Sequence, residues 1–99
     1  MKLLTKDIEK KLVKQLGTHE EDPVLQVKFF VDNWTWYAYE YDPQTRTFFG
    51  LVDGLELEMG YFSLDELESV TGQFGTKVER DQYFTPEPVS QVWNWHKDF

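Results

Sequence analysis

Thr47 to Met59 reads TFFGLVDGLELEM. Asp53-Gly54 between two apolar runs predicts a two-residue hairpin turn of type I′, because Asp and Gly tolerate positive φ. That turn dictates a register: Val52 opposite Leu55, Leu51 opposite Glu56, Gly50 opposite Leu57, Phe49 opposite Glu58, and Phe48 opposite Met59. Strand side chains alternate between faces, so Phe48, Gly50, Val52, Leu55, Leu57 and Met59 are expected together in the core. Phe49, Leu51, Glu56 and Glu58 take the other face. Its mix of carboxylates and large apolar groups suits a solvated or partner-binding surface.

Working outward, Trp34 to Tyr41 (WTWYAYEY) is a strand, closed by Asp42-Pro43. Trp34, Trp36, Ala38 and Glu40 are expected on one face, with Thr35, Tyr37, Tyr39 and Tyr41 on the other. Before it, Leu25, Val27, Phe29 and Val31 alternate with Gln26, Lys28 and Phe30, the period-two pattern of a strand, and Asp32-Asn33 supplies the turn. After the hairpin, Ser63-Leu64-Asp65-Glu66 has the form of a capping box, and Phe62 with Leu67 forms the matching hydrophobic staple. A short helix from Leu64 to Thr71, ended by Gly72, is expected. At the start of the chain Thr5 caps a helix from Lys6 to Leu16, where Ile8, Leu12 and Leu16 recur every four residues before Gly17.

Thr76 to Arg80 is a further candidate strand. From Val89 to Phe99 the spacing of Val89, Val92, Trp93 and His96 fits a docked helix and an extended tail equally. The predicted fold class is α+β: an antiparallel meander sheet of four to five strands, with an N-terminal helix and a short helix after the fourth strand. We expect one domain over residues 1–99.

The chain has no cysteine, so a disulfide framework and a thiolate metal site are excluded, and a reducing cytoplasm is the expected location. No segment approaches the roughly 20 apolar residues of a membrane span. The HEEDP run from His19 to Pro23 sets four potential ligands in a row, yet neighbours in an extended chain point opposite ways. No metal and no cofactor is expected.

Charge is distributed unevenly. Asp32 to Thr76 carries nine carboxylates (Asp32, Glu40, Asp42, Asp53, Glu56, Glu58, Asp65, Glu66, Glu68) against Arg46 alone, and the flanks cancel, so the net charge of −8 belongs to this middle segment. The same segment holds ten of the seventeen aromatics. An acidic aromatic sheet attracts a basic partner and repels nucleic acid. Proteins that stack bases pair their aromatics with a positive groove, which is the opposite arrangement. Direct nucleic-acid binding and membrane binding are therefore not expected.

Three blocks, MKLLTKDIEKKL, VKFFVDNWTWYAYEYD and FFGLVDGLELEMGYFSLDELESV, with the later ERDQYFTPEP, resemble a family of short bacterial proteins, the domain-of-unknown-function family DUF2958. The resemblance extends to about Pro88 and fades from Val89 onward. It implies a bacterial setting on plasmids, phages and integrative elements, and it implies no catalytic residues.

The residues themselves point away from catalysis. The two histidines are His19, in an acidic loop, and His96, near the end. There is no G-x-S-x-G, no glycine-rich phosphate loop and no H-E-x-x-H. Carboxylate pairs arise by chance among eighteen acids, and matter when burial raises one pKa. A non-enzymatic binder is expected. In one reading the acidic middle imitates a phosphate backbone and fills the basic groove of a nucleic-acid-binding defence protein, as an anti-restriction or anti-CRISPR-type inhibitor would. In the alternative it is a protein–protein adaptor whose aromatic and apolar sheet face (Phe49, Leu51, Tyr39) binds a segment while the charge keeps it soluble. The candidate partner-binding residues are Asp32, Glu40, Asp42, Phe49, Asp53, Glu56, Glu58 and Glu68.

Overall fold

The computed structural model describes residues Met1–Lys97, so the last two positions of the tail, Asp98 and Phe99, lie outside the described residues. Among the described residues, the chain is α+β. Helix α1 (Lys6–Gln15) is followed by β1 (Val24–Leu25), β2 (Val27–Val31), β3 (Trp34–Asp42), β4 (Thr47–Asp53) and β5 (Leu57–Ser63). Helix α2 (Leu64–Ser69), a 3-10 turn (Gln73–Gly75), β6 (Glu79–Arg80), β7 (Glu87–Pro88) and helix α3 (Val89–Lys97) complete it. The main sheet is antiparallel with order β5-β4-β3-β2-β6, so the meander runs β2 to β5 and β6 returns to the far edge beside β2. β1 and β7 form a separate two-stranded ribbon.

The N-cap side chains sit where the sequence places them, although among the described residues no Glu66 side-chain bond to the Ser63 amide completes the capping box. Thr5 Oγ1 accepts the Ile8 amide at 3.3 Å, and Gly17 takes φ 77° just beyond α1. Ser63 Oγ accepts the Glu66 amide at 2.9 Å, and the staple residues Phe62 and Leu67 are both buried. Helix α2 ends at Ser69 rather than Thr71, since Val70 is already extended.

The β4–β5 hairpin departs from the predicted register by three residues. Asp53 pairs with Leu57, Val52 with Glu58, Leu51 with Met59, Gly50 with Gly60, Phe49 with Tyr61 and Phe48 with Phe62. The turn is Gly54-Leu55-Glu56, held by the Gly54 amide on the Glu56 carbonyl at 3.1 Å. Gly54 does not take positive φ. Its lack of a side chain admits the Trp34 ring instead: a Cβ there would lie 2.0 Å from Trp34 Cζ3. The new register stacks Phe48 on Phe62, centroids 5.2 Å apart, and joins both to Phe29 in the main core. Leu57 and Met59 consequently leave the Phe48 face, and Leu55, expected in the core, is 93 % exposed.

The face expected to be open is also covered. Leu51 is fully buried with Tyr37, Leu25 and Val92, because the tail forms α3 and packs across it. The sheet therefore carries α1, α2 and the Leu3-Leu4 segment on one side and α3 on the other.

Two further expectations about faces are corrected. Pairing skips Tyr39 between Ala38 and Glu40, a β-bulge that carries Tyr41 onto the Ala38 and Phe48 side. Gly50 opposite it is obligatory, since a Cβ there would meet the Tyr37 carbonyl oxygen at 1.8 Å. At Gln26 the chain breaks between β1 and β2, so Leu25 turns to the α3 side while Val27, Phe29 and Val31 stay in the main core.

Candidate functional site

Antiparallel pairing brings the β2–β3 and β4–β5 turns to one end of the sheet, with Trp34 beside Val31 and Thr35 beside Asp53. This end gathers Asp32, Asp53, Glu56 and Glu58 of the predicted residues. The opposite end carries Asp42, Glu40 and Glu68. Phe49 stands between, half-buried on the α3 side of the sheet.

Most of these carboxylates already hold something. Asp32, in the left-handed region at φ 51°, accepts the Gln73 amide at 2.8 Å and the Thr76 hydroxyl at 3.4 Å, which fastens the 3-10 turn to the sheet end. Asp42 accepts the Gln44 amide at 2.9 Å inside its own turn. Glu40 accepts the Gly17 amide at 3.3 Å after α1. Arg46 bridges Asp65 at 3.0 Å and Glu68 at 3.1 Å, and the Asp65 hydrogen bond above all raises the guanidinium pKa further. Glu56 and Glu58 are exposed, and no hydrogen bond or ion pair to their side chains occurs among the described residues.

Asp53 belongs to a chain of three groups. Its Oδ2 lies 2.9 Å from His96 Nδ1, and His96 Nε2 lies 2.7 Å from the Tyr37 hydroxyl. A neutral imidazole donates from Nδ1 to the carboxylate and accepts from the phenol at Nε2. Tyr37 is 2 % exposed, and burial, with Asp53 and Asp81 adding to it, pushes its pKa up to about 12. The order acid–imidazole–hydroxyl resembles a nucleophile relay. Here the hydroxyl is protonated at neutral pH, and the ring is 2 % exposed, packed against Phe84 and His96. The chain of bonds clamps α3 to the sheet.

The same sheet end exposes apolar groups. Leu55 is 93 % exposed, Phe74 is 99 % exposed, and Trp34, stacked on Trp36 at 5.9 Å, is partly open. Phe74 takes φ 61°, a region that L-residues other than Asn and Asp rarely enter. On the α3 side an aromatic row crosses three strands: Tyr39 to Phe49 at 5.5 Å, then Phe49 to Tyr61 at 4.5 Å. Tyr61 ends the row and is 75 % exposed.

The chain matches the family described as "protein of unknown function (DUF2958)" over residues 3–97. It belongs to that family. No curated protein and no solved structure matches it. In this DUF2958 domain no helix among the described residues is long and apolar enough to cross a membrane.

Sequence reasoning missed Trp34, Leu55, Tyr61 and Phe74 as surface groups and His96 as the clamp. The Ser63 cap carried a usable signal for Tyr61. A strand running straight into that cap puts Tyr61 and Phe62 on opposite faces, and the staple already claims Phe62 for the core. Nothing in the sequence marks the left-handed backbone of Phe74.

Proposed function

We propose that this DUF2958 protein is a non-enzymatic binding domain that engages a basic protein, through Glu56, Glu58 and the apolar groups exposed beside them. The observation that carries the reading is this pair of unengaged carboxylates next to the exposed Leu55, while the other acidic candidates are tied into turns, caps and ion pairs. Uncompensated charge of one sign accelerates encounter with an oppositely charged partner, and exposed large apolar groups supply the short-range contact. A nucleic-acid-handling protein has the basic surface this requires. In the mobile-element setting that the family resemblance implies, a restriction or CRISPR-type defence protein is the partner class. The adaptor reading differs in making the apolar groups dominant and the charge incidental.

Purification of the protein with its partner from the native host, followed by binding kinetics on the isolated pair, tests the proposal. Association should slow as salt shortens the Debye length toward about 8 Å, Glu56→Gln with Glu58→Gln should slow it at low salt, and DNA should compete. A partner indifferent to salt, to both substitutions and to DNA overturns the acidic reading in favour of the adaptor.

A further inference from the structure

The outer edge of β5 is unpaired. β5 bonds only to β4, and among the described residues no strand, helix or loop pairs with its other side. The direction of each backbone group follows from the register. The Leu64 amide donates to the Arg46 carbonyl at 2.9 Å and the Gly54 amide to the Glu56 carbonyl at 3.1 Å. These bonds flank the Thr47–Ser63 and Asp53–Leu57 pairs, which are therefore both non-hydrogen-bonded pairs of the ladder. Alternation makes Glu58, Gly60 and Phe62 bond to β4. The amides and carbonyls of Leu57, Met59 and Tyr61 face outward instead.

Proteins blunt such edges with short strands, lysine, proline, bulges or a covering element. β5 has seven residues, contains no lysine or proline and pairs without a bulge, whereas the opposite edge, β6, has two residues. Its side chains are asymmetric. Met59 and Tyr61 lie on the α3 side, where Tyr61 terminates the aromatic row at the open edge. Glu58 lies on the other side with Gly60, and a Cβ on Gly60 would meet nothing within 4 Å.

We propose that the β5 edge is the docking site, and that its occupant is an extended basic segment of the partner, added antiparallel as a sixth strand of the main sheet. The partner strand bonds to the Met59 and Tyr61 backbones. Its apolar residues face Met59 and Tyr61 and extend the aromatic row, while its alternate basic residues face Glu58 and the space over Gly60. Charge decides against a second copy of this chain: pairing two β5 edges brings together two molecules of net charge −8, each with an unpaired Glu58 at the junction. The inference rests on the acidic-binder reading for the sign of the partner's charge. The hydrogen-bonding geometry is independent of it.

A fluorescent peptide alternating valine and lysine, as long as β5, is the probe, titrated into the whole protein at low salt. Binding should perturb and protect the Met59 and Tyr61 amides in nuclear magnetic resonance spectra. Methylating alternate peptide nitrogens on the bonding side, which keeps every charge, should weaken binding at least about tenfold. Met59→Pro should do the same without unfolding the protein, because the amide it removes is not part of the β4 ladder. The methylated peptide remains decisive should that variant fail to fold. Glu58→Gln should weaken the lysine peptide while sparing a valine–threonine peptide, which separates the charge from the edge. Equal binding of methylated and unmethylated peptides, protection away from β5, or a dimer in sedimentation that Met59→Pro dissociates would each overturn the proposal. In the first case the acidic-binder reading survives without the strand.

Discussion

His96 Nδ1 lies 2.9 Å from Asp53 Oδ2, so the last helix and the end of β4 are joined through an imidazole. His96 Nε2 also lies 2.7 Å from the Tyr37 hydroxyl, and Val92 of α3 is fully buried with Leu25 and Leu51. At its other end α3 is held by Asp22, whose carboxylate accepts the Ser90 hydroxyl at 2.6 Å and the Ser90 amide at 2.9 Å. Those bonds hold the Asp22 pKa below the usual carboxylate value. The helix that covers the second sheet face is thus fixed by polar contacts at both ends and an apolar one in the middle.

His96→Ala should destabilise the fold by about 1–3 kcal/mol in urea unfolding, because it leaves the buried Tyr37 hydroxyl without its hydrogen-bond partner. Adding Tyr37→Phe should recover part of that loss, since the orphaned hydroxyl is then gone. A double variant as unstable as the sum of the two single ones would show that the bond matters less than the packing of the two rings.

Tyr37 also sets an alkaline limit. Its folded pKa is raised from 10.0 to about 12, while the unfolded chain ionises at the ordinary value. Between these values the unfolded state has released the proton and the folded state has not. The stability this phenol contributes is whole below pH 10 and is lost as pH rises toward 12. Ultraviolet titration should therefore show one tyrosine ionising after the rest, and Tyr37→Phe should flatten the fall of stability with pH over that window.

Much of the fold was legible because it rests on local chemistry. Thr5, Ser63 and the Asp32-Asn33 turn act on their own neighbours, and the period-two runs state their faces over Val27–Val31 and from Trp34 to Ala38. Three features were not legible, and each depends on distant residues. The Asp53-Gly54 dipeptide signals a tight turn, but Trp34 occupies the space beside Gly54 and the Phe48–Phe62 stack sets the register. The bulge at Tyr39 needs Gly50 across the strand. The burial of Leu51 depends on a tail whose helix is capped by Asp22, far away in the sequence. The acidic candidates divide the same way: segment charge was countable, whereas the occupation of Asp32, Glu40 and Asp53 by Gln73, Gly17 and His96 is a tertiary fact.

The corrected hairpin makes opposite demands on Leu51 and Leu55. In the predicted register Leu55 would be core and Leu51 would face outward. The structure buries Leu51 completely beneath Val92 and Tyr37 and leaves Leu55 93 % exposed at the tip of the turn. Leu51→Ala removes a side chain from a site that the rigid sheet and the clamped helix cannot close around, and should cost about 2–5 kcal/mol. Leu55→Ala removes only solvated surface and should change stability by about 0.5 kcal/mol or less. Parallel urea titrations separate the two registers directly. If Leu55→Ala proves the more damaging variant, the two-residue turn is right, and the β5 edge then presents different backbone groups to solvent. If the order is as expected and Leu55→Ala also weakens partner binding at unchanged stability, the exposed turn belongs to the contact surface beside Glu56 and Glu58.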